Sequence, residues 1–148
     1  MVDYARLRDL TIVPVPVSYD QWYAEAVIFG SGKPTLVLPE TRRSRPFELE
    51  TVALAWDFSR AAARAAADAL PFLERAKKVR VVTILNDKML DTNHSAEALA
   101  KNLSRHCIDV VLDKVDADGR PTGEILESYV LSHAADMLAS PEDDERAS

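Results

Sequence analysis

Three side chains with usable chemistry stand in a row at Asp57, Phe58 and Ser59, where the apolar run "TVALAW" (51–56) gives way to the alanine-rich "RAAARAAADAL" (60–70). A carboxylate between a strand and a helix has two uses. It can sit at the positive end of the helix behind it. It can also reach into the crevice at the carboxyl ends of the strands, where open α/β sheets bind ligands. Both uses remain open for Asp57. Ser59 has no histidine close by in sequence and is read as the helix cap, accepting a backbone N–H that would otherwise go unpaired. Gly30, Ser31 and Gly32 read most simply as a helix stop before a strand. His94, His106 and His133 are scattered, and their spacing does not suggest a metal site. His133 falls on the apolar face of a helical pattern and is read as packed. Cys107 shares a face with Leu103 and is read as core. Arg42, Arg43 and Arg45 form a small basic cluster, read as a solvated connection rather than an anion site.

The elements that must position these residues alternate along the chain. "DLTIVPVP" (9–16) reads as a buried strand. "YDQWYAEAVIFG" (19–30) has helical spacing, with Gly30 or Gly32 as its stop. "PTLVLP" (34–39) is a short strand, and 41–50 is a linker without periodicity. A second series follows: strand 51–56, then a helix opened by Ser59 whose wet stripe is Arg60, Arg64 and Asp68. Pro71 is expected to kink or end that helix. "KVRVVTIL" (78–85) is a strand. "SAEALAKNLSRHC" (95–107) is a helix capped by Ser95, "DVVLDKVD" (109–116) a strand, and 121–138 a last helix. The acidic tail, 140–148, is read as disordered. Short apolar strands separated by helices predict a mostly parallel sheet with helices on both faces.

A chain of 148 residues with 47% hydrophobic content suits one domain. A net charge of −6 argues against nucleic-acid binding. A single cysteine excludes an internal disulfide and points to the cytoplasm. No apolar run reaches the roughly 18 residues that would span a membrane.

The stretch "TVALAWDFSRAAARAAADALPFLERAKKVRVVTI" resembles the first strand, helix and second strand of a universal stress protein domain. "ALPFLERAKKV" is especially similar to the tandem-domain members of bacteria. "DLTIVPVP", the 19–29 helix and "FGSGKPTLVLP" resemble the fourth strand, last helix and fifth strand, which come last in the family and first here. The resemblance implies one domain over residues 1–139, built as a five-stranded sheet of order 3-2-1-4-5. Residues 1–40 then supply strands four and five, and 51–139 supply strands one to three. The chain looks like the centre of a tandem protein, folded either as a permuted domain or by exchange between two chains. The permuted path runs about 17–20 Å down and about 10 Å across. A ten-residue linker reaches roughly 33 Å.

The resemblance also assigns candidate residues. Asp57, with Phe58 and Ser59, matches the position that contacts the nucleoside in nucleotide-binding members. Phe58 replaces the usual small residue and is expected to fill or narrow the pocket. Gly30 and Ser31 match the end of the family's phosphate loop. The two earlier glycines are absent, with Val17 and Asp20 in their places, or Pro14 and Val17 if the strand sets the register. The last strand, Thr35, Leu36, Val37 and Leu38, is expected to form a homodimer edge. The expectation is therefore a non-catalytic stress-response domain that binds no cofactor and acts through dimerisation and protein contacts, without nucleic acid or membrane. The alternative is an ATP-binding or weakly ATP-hydrolysing switch.

Overall fold

Val52, Ala53, Leu54 and Ala55 are buried one after another, as a strand covered on both faces requires. They form β3 (Thr51–Ala55) at the centre of the larger of two compact units. The computed structural model describes residues 2–15, 28–39, 46–85 and 93–141. One unit lies within Met1–Phe47 and the other within Glu48–Glu145.

The larger unit is a four-stranded parallel sheet of order β5-β4-β3-β6. Its strands are β3, β4 (Lys78–Leu85), β5 (Val110–Asp116) and β6 (Met137–Ala139). The α2 helix (Arg60–Arg75) joins β3 to β4, and α3 (Asn93–Ser104) joins β4 to β5. Both pack on the face that carries Val52, Leu54, Val79 and Val81. Next, α4 (Thr122–Ser132) leads back across the sheet to β6 and packs on the opposite face, where Leu126 and Tyr129 meet Ala53, Ala55 and Val82. Crossovers between parallel strands are right-handed, so reversing the direction of strand addition moves the helix to the other face.

The α2 helix buries Ala62, Ala66, Ala69 and Leu73 at intervals of three and four. Small residues at three of those four places let the helix lie close on the strands. Arg64 and Asp68 pair on its wet side at 3.7 Å. Pro71 stands inside the helix, which continues to Arg75. Its missing N–H costs one turn bond near the end, and the packing of Leu73 carries the helix past it.

The smaller unit holds α1 (Val2–Arg6), β1 (Thr11–Val15) and β2 (Thr35–Pro39). The strands run parallel, with Ile12 opposite Leu36 and Pro14 opposite Leu38. Ala5 and Val13 are buried together. Ile12 and Leu38 lie on the other face and are 57% and 41% exposed. Residues 28–31 are helical, and Gly32 ends that turn at φ +65. A Cβ at Gly30 would lie 2.9 Å from Val2 Cγ1, so any larger residue there would require the Val2 side chain to shift.

Several sequence-based expectations change. The place beside β3 predicted for residues 9–16 is occupied by β6, and 9–16 instead contributes β1 to a separate two-stranded sheet. The described strands thus form sheets of four and two rather than one of five. The last helix ends at Ser132, not near 138. His133 caps it, Ala134 takes φ +49, and the chain turns into β6. Helical spacing misleads there because a three-residue strand is too short to show an alternating pattern of its own. Ser95 lies inside α3, which begins at Asn93. Cys107 is exposed at φ +59, after the helix has ended, rather than in the core. Most of the 19–30 helix, Val17, Asp20, Arg42, Arg43, Arg45 and the tail from 142 lie outside the described residues.

The short β6 is held by more than its ladder. Asp136 Oδ2 accepts hydrogen bonds from the N–H groups of Glu50 (3.1 Å) and Thr51 (3.0 Å), while Asp136 N donates to Thr51 O at 2.8 Å. Replacing Asp136→Ala is expected to cost about 1.5–3 kcal/mol in chemical unfolding, the usual weight of hydrogen bonds to a charged group. Leu73→Ala, at a fully buried site, is expected to cost about 2–5 kcal/mol.

Candidate functional site

The strand order reverses between β3 and β6, and the crevice outside their carboxyl ends is where this sheet class places ligands. A hollow of about 620 Å³ opens there on the α4 side. Strict alternation along β3 points Ala53, Ala55 and then Asp57 to that side. Ala55, Val82, Leu126, Val130 and Leu138 are among its apolar lining residues, and Asp57 and Glu127 supply its carboxylates. Ser140 and Pro141, just beyond β6, also line it.

The joint at 57–59 is an ordered turn. Asp57 Oδ1 accepts from Ser59 N at 2.8 Å. Ser59 is the N-cap of α2, its Oγ accepting from Ala62 N at 3.0 Å. Asp57 therefore supports the turn into α2 and also faces the hollow. Phe58 holds φ +66, which is uncommon for a bulky residue. It is 70% exposed, and its ring stands edge-on to Trp56 at 6.4 Å. It does not line the hollow. Trp56 in turn donates from Nε1 to Ser95 Oγ at 3.2 Å, tying the end of β3 to α3.

Gly30 and Ser31 make their bonds inside the smaller unit. Gly30 O accepts from Arg6 Nε at 3.0 Å, and Ser31 Oγ accepts from Lys33 N at 3.2 Å. Thr35, Leu36, Val37 and Leu38 all lie on β2, with Val37 and Leu38 exposed. His106 meets Glu74 at 3.4 Å. Among the described residues, no group of His, Cys, Asp and Glu is arranged to hold a metal ion. Among them, too, no helix is long and apolar enough to cross a membrane.

A polar cluster that sequence reasoning did not single out sets the position of α4, one wall of the hollow. Tyr129 Oη donates to Asp113 Oδ2, which also accepts from Arg80 at 2.9 Å. His133 stacks on the Tyr129 ring with centroids 4.1 Å apart, and its Nδ1 lies 3.0 Å from Tyr129 O. The signal was present: alternation in "VVLDKVD" places Asp113 on the inward face with Val111 and Val115. An inward acid needs a partner.

Burial would raise the Asp113 carboxyl, but hydrogen bonds from Tyr129 and Arg80 outweigh it and hold the group below the usual carboxylate range. Burial first, and then the Asp113 carboxylate, push the Tyr129 phenol up. A carboxyl lowered by folding contributes stability above its unfolded pKa, about 3.9 for aspartate. That contribution is lost as pH falls through the folded value. The melting-temperature gap between the wild type and Asp113→Asn is thus expected to hold steady from about pH 5 to 7 and to narrow below about pH 4.

No family model matches the sequence, and no curated protein does either. Among solved structures, the chain is similar to a universal stress protein from Archaeoglobus fulgidus, with a TM-score of 0.74 at 13% identity. That match covers 93% of this chain and 52% of the archaeal one, so the chain spans about half the length of that protein. A universal stress protein family member from Burkholderia pseudomallei aligns with a TM-score of 0.48 at 15% identity, covering 64% of this chain and 82% of that one. With its parallel sheet, its helices on both faces and its reversal of strand order beside β3, the chain has a universal-stress-protein-like fold.

Proposed function

We propose that the chain is a non-catalytic, cytoplasmic stress-response module that works through self-association and protein contacts and does not bind ATP by a glycine loop. The observation that carries this reading is the pair of residues that follows β6. At the reversal point, a phosphate loop needs successive backbone N–H groups with room for oxygens to approach. Here Ser140 and Pro141 follow β6 and line the crevice; Glu142, Asp143, Asp144 and Glu145 come next in the sequence and lie outside the described residues. Proline has no N–H, so Pro141 offers a phosphate no backbone donor where such a loop would need one.

Self-association is supported by the smaller unit. Parallel strands are normally covered on both faces, and a two-stranded sheet is marginal alone. Yet Ile12, Val37 and Leu38 are exposed on β1 and β2. In this proposal the edge of β2 (Thr35 to Leu38) pairs with a second copy, and exposed apolar side chains pack across it.

The alternative, an ATP-responsive switch, draws on Asp57 lining the crevice. Thermal unfolding with magnesium and ATP separates the two readings. A ligand at 100 times its Kd adds about 2.7 kcal/mol, several degrees in Tm, and no shift is expected here. A saturable rise that Asp57→Ala abolishes would establish the switch instead. In sedimentation equilibrium, the wild type is expected to be dimeric at tens of micromolar and the Leu36→Asp, Leu38→Asp double variant monomeric. A wild-type monomer would overturn the self-association reading.

A further inference from the structure

The hollow beside β3 and α4 has a chemistry of its own. Its wall is mostly apolar, with Ala55, Trp56, Val82, Leu126, Val130 and Leu138 on it. The charges on its rim are Asp57 and Glu127, both exposed, and among the described residues no lysine, arginine or histidine lines it. A volume of about 620 Å³ is in the range of small-molecule pockets, roughly 300–1,000 Å³. Apolar walls with a few placed polar groups are the usual make-up of such sites.

We infer that this hollow is a binding site for small cationic amphiphiles, an ammonium or guanidinium group carried on an apolar body. The apolar body lies on the wall formed by β3, β4 and α4. The cation stands at the mouth, between Asp57 at the end of β3 and Glu127 on α4. An anion of the same shape meets two carboxylates and, among the described lining residues, no compensating cation, so selectivity comes from repulsion as well as attraction. Asp57 can serve because its Oδ1 is already fixed by Ser59 N; the carboxylate is oriented before a ligand arrives, which reduces the ordering cost of binding. The cluster of Arg80, Asp113 and Tyr129 fixes α4, and with it Glu127, without placing its own guanidinium on the wall.

The test uses the full chain and three probes of equal length: hexylamine, hexanol and hexanoate, each titrated at pH 7 while backbone amide resonances are followed. Hexylammonium is expected to give saturable shifts confined to residues 55–57, 126–131 and 138–140, with hexanol weaker and hexanoate weakest. Asp57→Asn and Glu127→Gln are each expected to weaken hexylammonium about two- to fivefold, the weight of one exposed ion pair, and to leave hexanol unchanged. Asparagine keeps an oxygen for Ser59 N, so the turn survives. Equal binding of all three probes would overturn the inference. So would shifts mapping elsewhere, or contacts from a second copy filling the hollow. ATP titrated alongside keeps this result separate from the preceding one, since amine binding and ATP binding succeed or fail independently.

Discussion

A parallel sheet can grow in both directions from one strand only if its connecting helices change faces, and in this chain everything of interest follows from that change. The α2 and α3 helices build outward from β3 on one face. The α4 helix carries the chain back over the other face, and β6 closes on the free side of β3. Only three residues, Met137 to Ala139, make that strand. Its ladder is short, so the carboxylate of Asp136, bonded to two backbone N–H groups at the start of β3, does work that a longer strand would share among more bonds.

The same reversal makes the crevice. The hollow lies beyond the carboxyl ends of these two strands, whose neighbouring helices lie on opposite faces, and Asp57 lines it. The α2 and α3 face is filled by alanines and Leu73 packed against valines. Among the described residues the α4 face carries one helix, and the hollow lies beside it. Its walls are apolar because the strands that make them belong to a sheet interior. Its rim is acidic because Asp57 and Glu127 sit where strand and helix meet water. Open α/β sheets of this class place their ligands at such a crevice.

Much of this was legible in the amino-acid order. The strands at 51–56, 78–85 and 109–116, the Ser59 cap and the parallel character of the sheet follow from apolar runs, alanine spacing and alternation. The position of β6 did not. The run Ile125, Leu126, Tyr129, Val130, His133 has helical spacing that runs into Ala135 and Leu138 without a break. What ends it is Ala134 at φ +49, an ordinary residue in a conformation that sequence does not announce. That lapse concealed the strand beside β3 and made residues 9–16 look like the natural occupant. The acid that secures β6, Asp136, precedes three small or apolar residues and carries no local signature either. The cluster of Asp113, Tyr129 and Arg80 was half visible: the inward acid could be found by alternation, its partners only from the packing of α4 on β4 and β5.

The central claim is that the chain's own Met137–Ala139 segment fills the place beside β3. The most direct measurement is nuclear Overhauser spectroscopy on the full chain, read at the backbone of Ala53. Cross-strand contacts from Ala53 to Leu138 on one side and to Arg80 on the other are expected, matching the register of the ladder. Contacts from Ala53 to Ile12 or Val13 in place of Leu138 would contradict the account, because they would restore the permuted sheet and remove the crevice described above.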